Sequence, residues 1–140
     1  MAEAGEFAEW ARVHGHLYGT SKTRLEEMRS RGVDVILDID TQGAQKIRGT
    51  YTDGVYIFIL PPSLDDLRER LEKRMSNSPE EIQVRMKRAS EEIRSYKAYN
   101  YVIINNDFAE ALAELKAIVL AEGRRTERLD PEWVKETFSL

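Results

Sequence analysis

Two short runs, VDVILDI at 33–39 and GVYIFIL at 54–60, are almost continuously β-branched or aromatic and are bounded by glycine or proline. That pattern predicts strands buried on both faces of a parallel sheet. YVIIN at 101–105 is a third, weaker run. Elsewhere the apolar positions recur at helical spacing. In TSKTRLEEMRSRG, Leu25 and Met28 stand three apart, Thr20 and Ser21 are candidate caps, and Gly32 is a stop. Ser63 and Asp66 form a box-like start for LDDLRERLEKRM, whose Leu64, Leu67 and Leu71 keep one face apolar. Ser78 and Pro79 open PEEIQVRMKRASEEIRSYKAY, because proline suits the first helical position. Asp107 caps FAEALAELKAIVLAEG, and Asp130 with Pro131 opens a short terminal helix that either docks Trp133 and Phe138 or frays. The predicted order is α-α-β-α-β-α-α-β-α, which counts a helix ahead of Thr20 and describes an α/β layer protein.

Bulk composition narrows what such a protein does. A chain of 140 residues supports one hydrophobic core. With 25 acidic against 21 basic residues the formal net charge is -4, so the footprint of a nucleic-acid binder is absent. No cysteine is present, which removes thiolate chemistry and disulfides and points to a reducing cytoplasm. No apolar run approaches the roughly 18 residues of a membrane span, and MAEAGEF lacks the features of a signal peptide. The expectation is a cytoplasmic protein that uses neither nucleic acid nor membrane.

Three constellations put polar groups where an α/β sheet does its chemistry. VILDIDTQG ends a predicted strand in Asp38, Asp40 and Gln42. Either aspartate alone reads equally well as the cap of the next helix, whereas the two together suit a magnesium and phosphate role or a base edge. The helices on either side of SNSPEE carry Arg70, Arg74, Arg85 and Arg88. Singly these read as a solvated helix face, but as a set they suit a mobile flap that brings guanidinium groups over a phosphate. The third is EWARVHGHLYGTS at 9–21. His14 and His16 make a poor metal site, because catalytic zinc takes three protein ligands and no third clusters nearby. As a pocket the stretch makes better sense. Glu9 can accept two hydrogen bonds from a ring edge with adjacent N–H donors, and Thr20 can donate to a neighbouring carbonyl. Guanine presents that edge and adenine does not.

Taken in order, EFAEWARVHGHLYGTS, DVILDIDTQGAQKIR, IFILPPSLDDLRERLEKR, the arginine-bearing flap and YVIINND resemble the guanylate kinases from about Gly5 to Glu122. The resemblance implies that Glu9, Thr20 and Asp40 read guanine and that Tyr18 touches the phosphate of GMP. It places Asp38 on the magnesium and phosphate side and Asn105 beside the adenine of ATP. Arg74 and Arg85 become lid arginines that neutralise the transferred phosphoryl group. The implied substrates are GMP and ATP, with Mg2+ accompanying ATP. Where the family often has N-D-D, this chain has Asn105, Asn106 and Asp107. The implied organisation is a guanylate-kinase-like domain at 1–123, comprising part of the GMP-binding region at 1–32, core strands at 33–62, lid and flanking helices at 63–98 and a last strand and helix at 99–123. A tail follows at 124–140.

The family's G-x-x-x-x-G-K-[ST] loop has no counterpart in these residues; GTSKTR has a lysine but not the glycine spacing. Also absent is the family's arginine-bearing segment that helps grip the GMP phosphate. The expectation is therefore an incomplete P-loop-kinase three-layer fold, with a parallel sheet missing its P-loop strand plus a helical lid. Its activity falls short of the full enzyme's. Strand edges left by the gap are expected either to pair directly or to be filled by a second copy, as a homodimer or swapped assembly. Two other readings are a non-catalytic guanylate-kinase-like module that binds protein and a folded remnant without a ligand.

Overall fold

In the computed structural model the described residues are 7–13, 16–74 and 78–140, with the backbone alone described at 9–18. They fall into two units, one ending at Tyr56 and the other running from Ile57 to Leu140.

The first unit opens on an antiparallel hairpin of β1 (Phe7–Val13) and β2 (His16–Ser21), with the register slipping between Phe7 and Glu9. A helix expected ahead of Thr20 is thus replaced by strands. Phe7, Trp10, Val13 and Tyr18 are residue types that favour a pleated surface over a helix. Ser21 ends β2 and caps α1 (Lys22–Ser30), its Oγ accepting from the Arg24 N–H at 3.4 Å.

At its far end α1 stops where the sequence predicted. Gly32 takes φ 71°, Val33 N–H donates to the Met28 carbonyl at 3.1 Å, and Gly32 N–H donates to Arg29 at 2.9 Å. These are the paired bonds of a Schellman stop, which needs a left-handed residue that glycine supplies without strain.

Residues 33–40 follow as an extended segment with no ladder partner among the described residues, not as the predicted doubly buried strand. Val35, Leu37 and Ile39 pack against the buried Leu25, Ile47 and Tyr51. The alternate position Ile36 is 79% exposed. One face is therefore buried and the other open, which the near-continuous apolar run did not distinguish. α2 (Thr41–Thr50) packs against β1 and buries Ala44 and Ile47.

A polar knot closes the unit. Tyr51 Oη donates to Glu26 Oε1 at 2.7 Å, the Arg29 guanidinium lies 5.0 Å from the Tyr51 ring centroid and pairs with Asp53, and Tyr56 Oη donates to the Tyr51 carbonyl at 2.7 Å. A Cβ on Gly54 would meet the Tyr56 hydroxyl at 3.0 Å, so glycine permits this close approach.

The second unit is built on a parallel pair, β3 (Ile57–Leu60) and β4 (Tyr101–Ile104), in register Ile57 with Tyr101 through Leu60 with Ile104. β3 begins three residues later than the predicted run. Asn105 N–H donates to the Leu60 carbonyl at 2.7 Å and continues the pairing by one bond. Between the strands, α3 (Leu64–Arg74) packs on α4 (Pro79–Ile93), which passes into a 3₁₀ turn at Arg94–Ala98. Asp66 N–H donates to Ser63 Oγ at 3.0 Å. Ser78 and Glu81 form a full capping box, with N···O distances of 3.3 and 3.2 Å.

α5 (Phe108–Glu122) packs on β4 with its Asp107 cap in place. The tail then makes a 3₁₀ turn at Thr126–Arg128 and α6 (Pro131–Phe138), capped by Asp130. Trp133 and Phe138 meet each other edge to face at 6.1 Å and stay half or more exposed, so the tail helix neither frays nor buries them.

Burial pushes the Tyr51 hydroxyl above its ordinary value, reinforced by the bond to Glu26 and opposed by Arg29. Tyrosine therefore ionises more readily in the unfolded chain. The stabilisation from Tyr51 is intact below about pH 10 and is lost as pH climbs through the raised value. Tyr51→Phe is expected to cost about 1 kcal/mol at pH 7 and to flatten this alkaline loss; urea unfolding at pH 7 and pH 10.5 measures both.

Candidate functional site

In the first unit the hairpin register sets Glu9 directly opposite Thr20, and Ala11 opposite Tyr18. The sequence-predicted Glu9 and Thr20 thus share one rung of the ladder, and Tyr18 stands two rungs along it. The side chains of Glu9 and Tyr18, together with His14 and Gly15, lie outside the described residues. Thr20 is half-buried at the end of β2, one residue before the cap of α1.

Asp40 stands at the end of the extended segment. Its Oδ1 accepts the Gly43 N–H at 2.8 Å, making it the N-cap of α2. The capping alternative is realised for Asp40 and not for Asp38, which is exposed beside Ile36 with no polar partner among the described residues. The period of two explains the division: Val35, Leu37 and Ile39 point to the core, so Asp38 faces away.

The second unit holds the other candidates. Arg74 ends α3 and is exposed, whereas Arg85 is half-buried in α4, and these two helices pack together. Neither guanidinium has an ion pair or hydrogen bond among the described residues. Their neighbours differ: Lys73 pairs with Glu69 at 2.5 Å and Arg88 with Glu92 at 2.7 Å. Among the described residues, Arg74 and Arg85 thus keep their charge unpaired, as an anion site requires. Asn105 is half-buried at the carboxyl end of the parallel pair, where α/β sheets place ligands.

A group of three or more acidic or histidine side chains able to hold a metal is absent among the described residues. Mg2+ bound with a nucleotide takes one or two carboxylates and completes its shell with phosphate and water. The exposed, unpaired Asp38 fits that mode.

The guanylate kinase family model matches residues 1–122. Guanylate kinases of Geobacter sulfurreducens and Geobacter metallireducens are each 51% identical over all 140 residues, which cover 68% of each relative. The chain belongs to the guanylate kinase family. The crystal structure of guanylate kinase from Anaplasma phagocytophilum aligns with TM-score 0.80 and 35% identity over 97% of this chain and 67% of that one. The α/β fold with a parallel sheet expected from the resemblance is thereby borne out, and the family is one of nucleotide kinases. No helix among the described residues is long and apolar enough to cross a membrane.

If Asp40 caps α2, Asp40→Ala is expected to lower stability by about 1 kcal/mol, while Asp40→Asn stays within a few tenths because asparagine caps as well. Chemical denaturation of both variants tests this. Equal losses would remove the cap from the account.

Proposed function

We propose that these residues form the GMP-binding side and the lid of an ATP-dependent guanylate kinase, ATP + GMP to ADP + GDP, acting in the cytoplasm. The observation that carries this reading is the hairpin register that sets Glu9 opposite Thr20. It gives an acceptor and a hydroxyl on one rung, as the guanine edge requires. Asp40 adds a third contact to the base while capping α2, and Tyr18 takes the phosphate. The absence of cysteine is in keeping with the cytoplasm.

In the reaction, a nonbridging oxygen of the GMP phosphate attacks the γ-phosphorus of ATP. The bond from that phosphorus to the β–γ bridging oxygen breaks, and ADP leaves. Transfer of this kind depends on positioning and charge neutralisation, without a covalent enzyme intermediate. Arg74 and Arg85, without an ion pair among the described residues, supply positive charge to the transferred group. Asn105 lies on the adenine side. Asp38 would hold the magnesium that accompanies ATP, which would neutralise phosphate charge. The 140 residues contain no G-x-x-x-x-G-K-[ST] sequence, so by themselves they are expected to turn over ATP slowly.

Calorimetric titration is expected to show GMP bound more tightly than AMP by about 10²-fold or more, since a buried site built for one hydrogen-bonding edge rejects the other. Asp40→Asn should narrow that preference without loss of fold. Binding of neither nucleotide would instead favour a protein-binding module or a remnant. Arg74→Ala and Arg85→Ala are each expected to lower GMP-dependent ADP formation by at least about tenfold, roughly 1.4 kcal/mol. Unchanged rates in both would take the lid out of the mechanism.

We further propose that the unpaired backbone edge of residues 33–40, and not the face that carries Asp34 and Asp38, is filled by a second copy of the chain. The lack of ladder partners among the described residues supports this. Sedimentation of a single monomeric species at tens of micromolar would contradict it.

A further inference from the structure

The family match ends at Glu122, and the last residue matched is a buried carboxylate. The Glu122 side chain is only 11% exposed. Its Oε1 accepts the Tyr101 hydroxyl at 2.6 Å, from the first residue of β4. Two guanidinium groups of the following turn approach the same carboxylate, Arg125 Nη1 at 3.7 Å on Oε1 and Arg128 Nη2 at 3.8 Å on Oε2. Arg125 is shared with Glu127, whose Oε2 lies 3.3 Å from Arg125 Nε.

Little else of the tail is buried. No residue of the 3₁₀ turn or of α6 is buried, and Leu129, Trp133, Phe138 and Leu140 are at least half exposed. Apolar burial is the usual force that docks a terminal helix, and here it is small. A buried carboxylate, by contrast, is costly to leave without its cations.

We propose that Glu122 is an electrostatic latch: it fastens the tail from Arg124 onward to the start of β4, and neutralising or screening it frees the tail while the parallel pair stays folded. Arg125 and Arg128 are the moving half of the latch, and Tyr101 is the fixed half. Tyr101 has its hydroxyl held above the ordinary range chiefly by the bond to Glu122, consistent with a donor committed to that carboxylate.

Hydrogen–deuterium exchange of the 140-residue chain tests this at the Arg128 and Leu129 amides, which donate to Arg125 and Thr126 at 3.0 and 3.1 Å. Glu122→Gln keeps an acceptor for Tyr101 but removes the charge. The double variant Arg125→Ala with Arg128→Ala leaves the Tyr101 bond untouched. In each, tail exchange is expected to rise about tenfold with the amides of β3 and β4 unchanged. In the unsubstituted chain, 1 M salt, where the screening length is about 3 Å, should do the same and should have little further effect in either variant. Tail exchange indifferent to substitution and salt would overturn the latch, as would a rise shared equally by the strands.

Discussion

The candidate site in the first unit depends on burying one row of side chains, Val35, Leu37 and Ile39, against Leu25, Ile47 and Tyr51. Their alternation fixes the facing of everything between and beyond them. Asp38 is turned outward because its neighbours on both sides are turned inward, and Asp40 arrives at the end of the segment in position to cap α2. The Schellman stop at Gly32 sets where the segment starts and the cap at Asp40 sets where it ends. Two aspartates two residues apart thus acquire different environments without any special chemistry of their own.

In the second unit the controlling features are local helix starts. Ser63, Ser78 and Asp107 each satisfy orphan N–H groups, so α3, α4 and α5 begin at defined residues. A fixed start for α4 sets the helical position of Arg85, and the length of α3 sets Arg74 at its last turn, where positive charge also suits the helix dipole. Electrostatic readiness follows from pairing. Glu69 and Glu92 engage Lys73 and Arg88, while Arg74 and Arg85 have no ion pair among the described residues.

Much of this was legible in the chain. Each helix predicted from Ser21 onward exists, because hydroxyl caps, proline at the first position and glycine stops act over a few residues and leave their mark in the sequence. The end of α4 was read as continuous helix and instead tightens at Arg94–Ala98. Strands were harder. VDVILDI and a doubly buried strand have the same composition, and only the presence of neighbours on both sides tells them apart. Those neighbours are tertiary. The element order predicts a helix ahead of Thr20 where the chain forms a hairpin, because the polar residues and glycines of 9–21 leave no clean alternation of apolar positions. The resemblance to guanylate kinases points to Glu9, Thr20 and Asp40 together, and the position of Asp40 at a strand end suffices to suggest a cap. Nothing in the local pattern announced the Tyr101 and Glu122 pair, since the two meet across the packed faces of β4 and α5.

The one-sided burial of residues 33–40 carries a consequence for solubility. An extended, β-branched segment without ladder partners is a template for edge-to-edge aggregation. Here Ile36 is the apolar side chain on the open face, and Asp34 and Asp38 stand two residues to either side of it. Like charges at that spacing would face their own copies in any in-register stack. The carboxylate offered to magnesium is thereby also a gatekeeper, guarding the chain against its own most sheet-prone stretch.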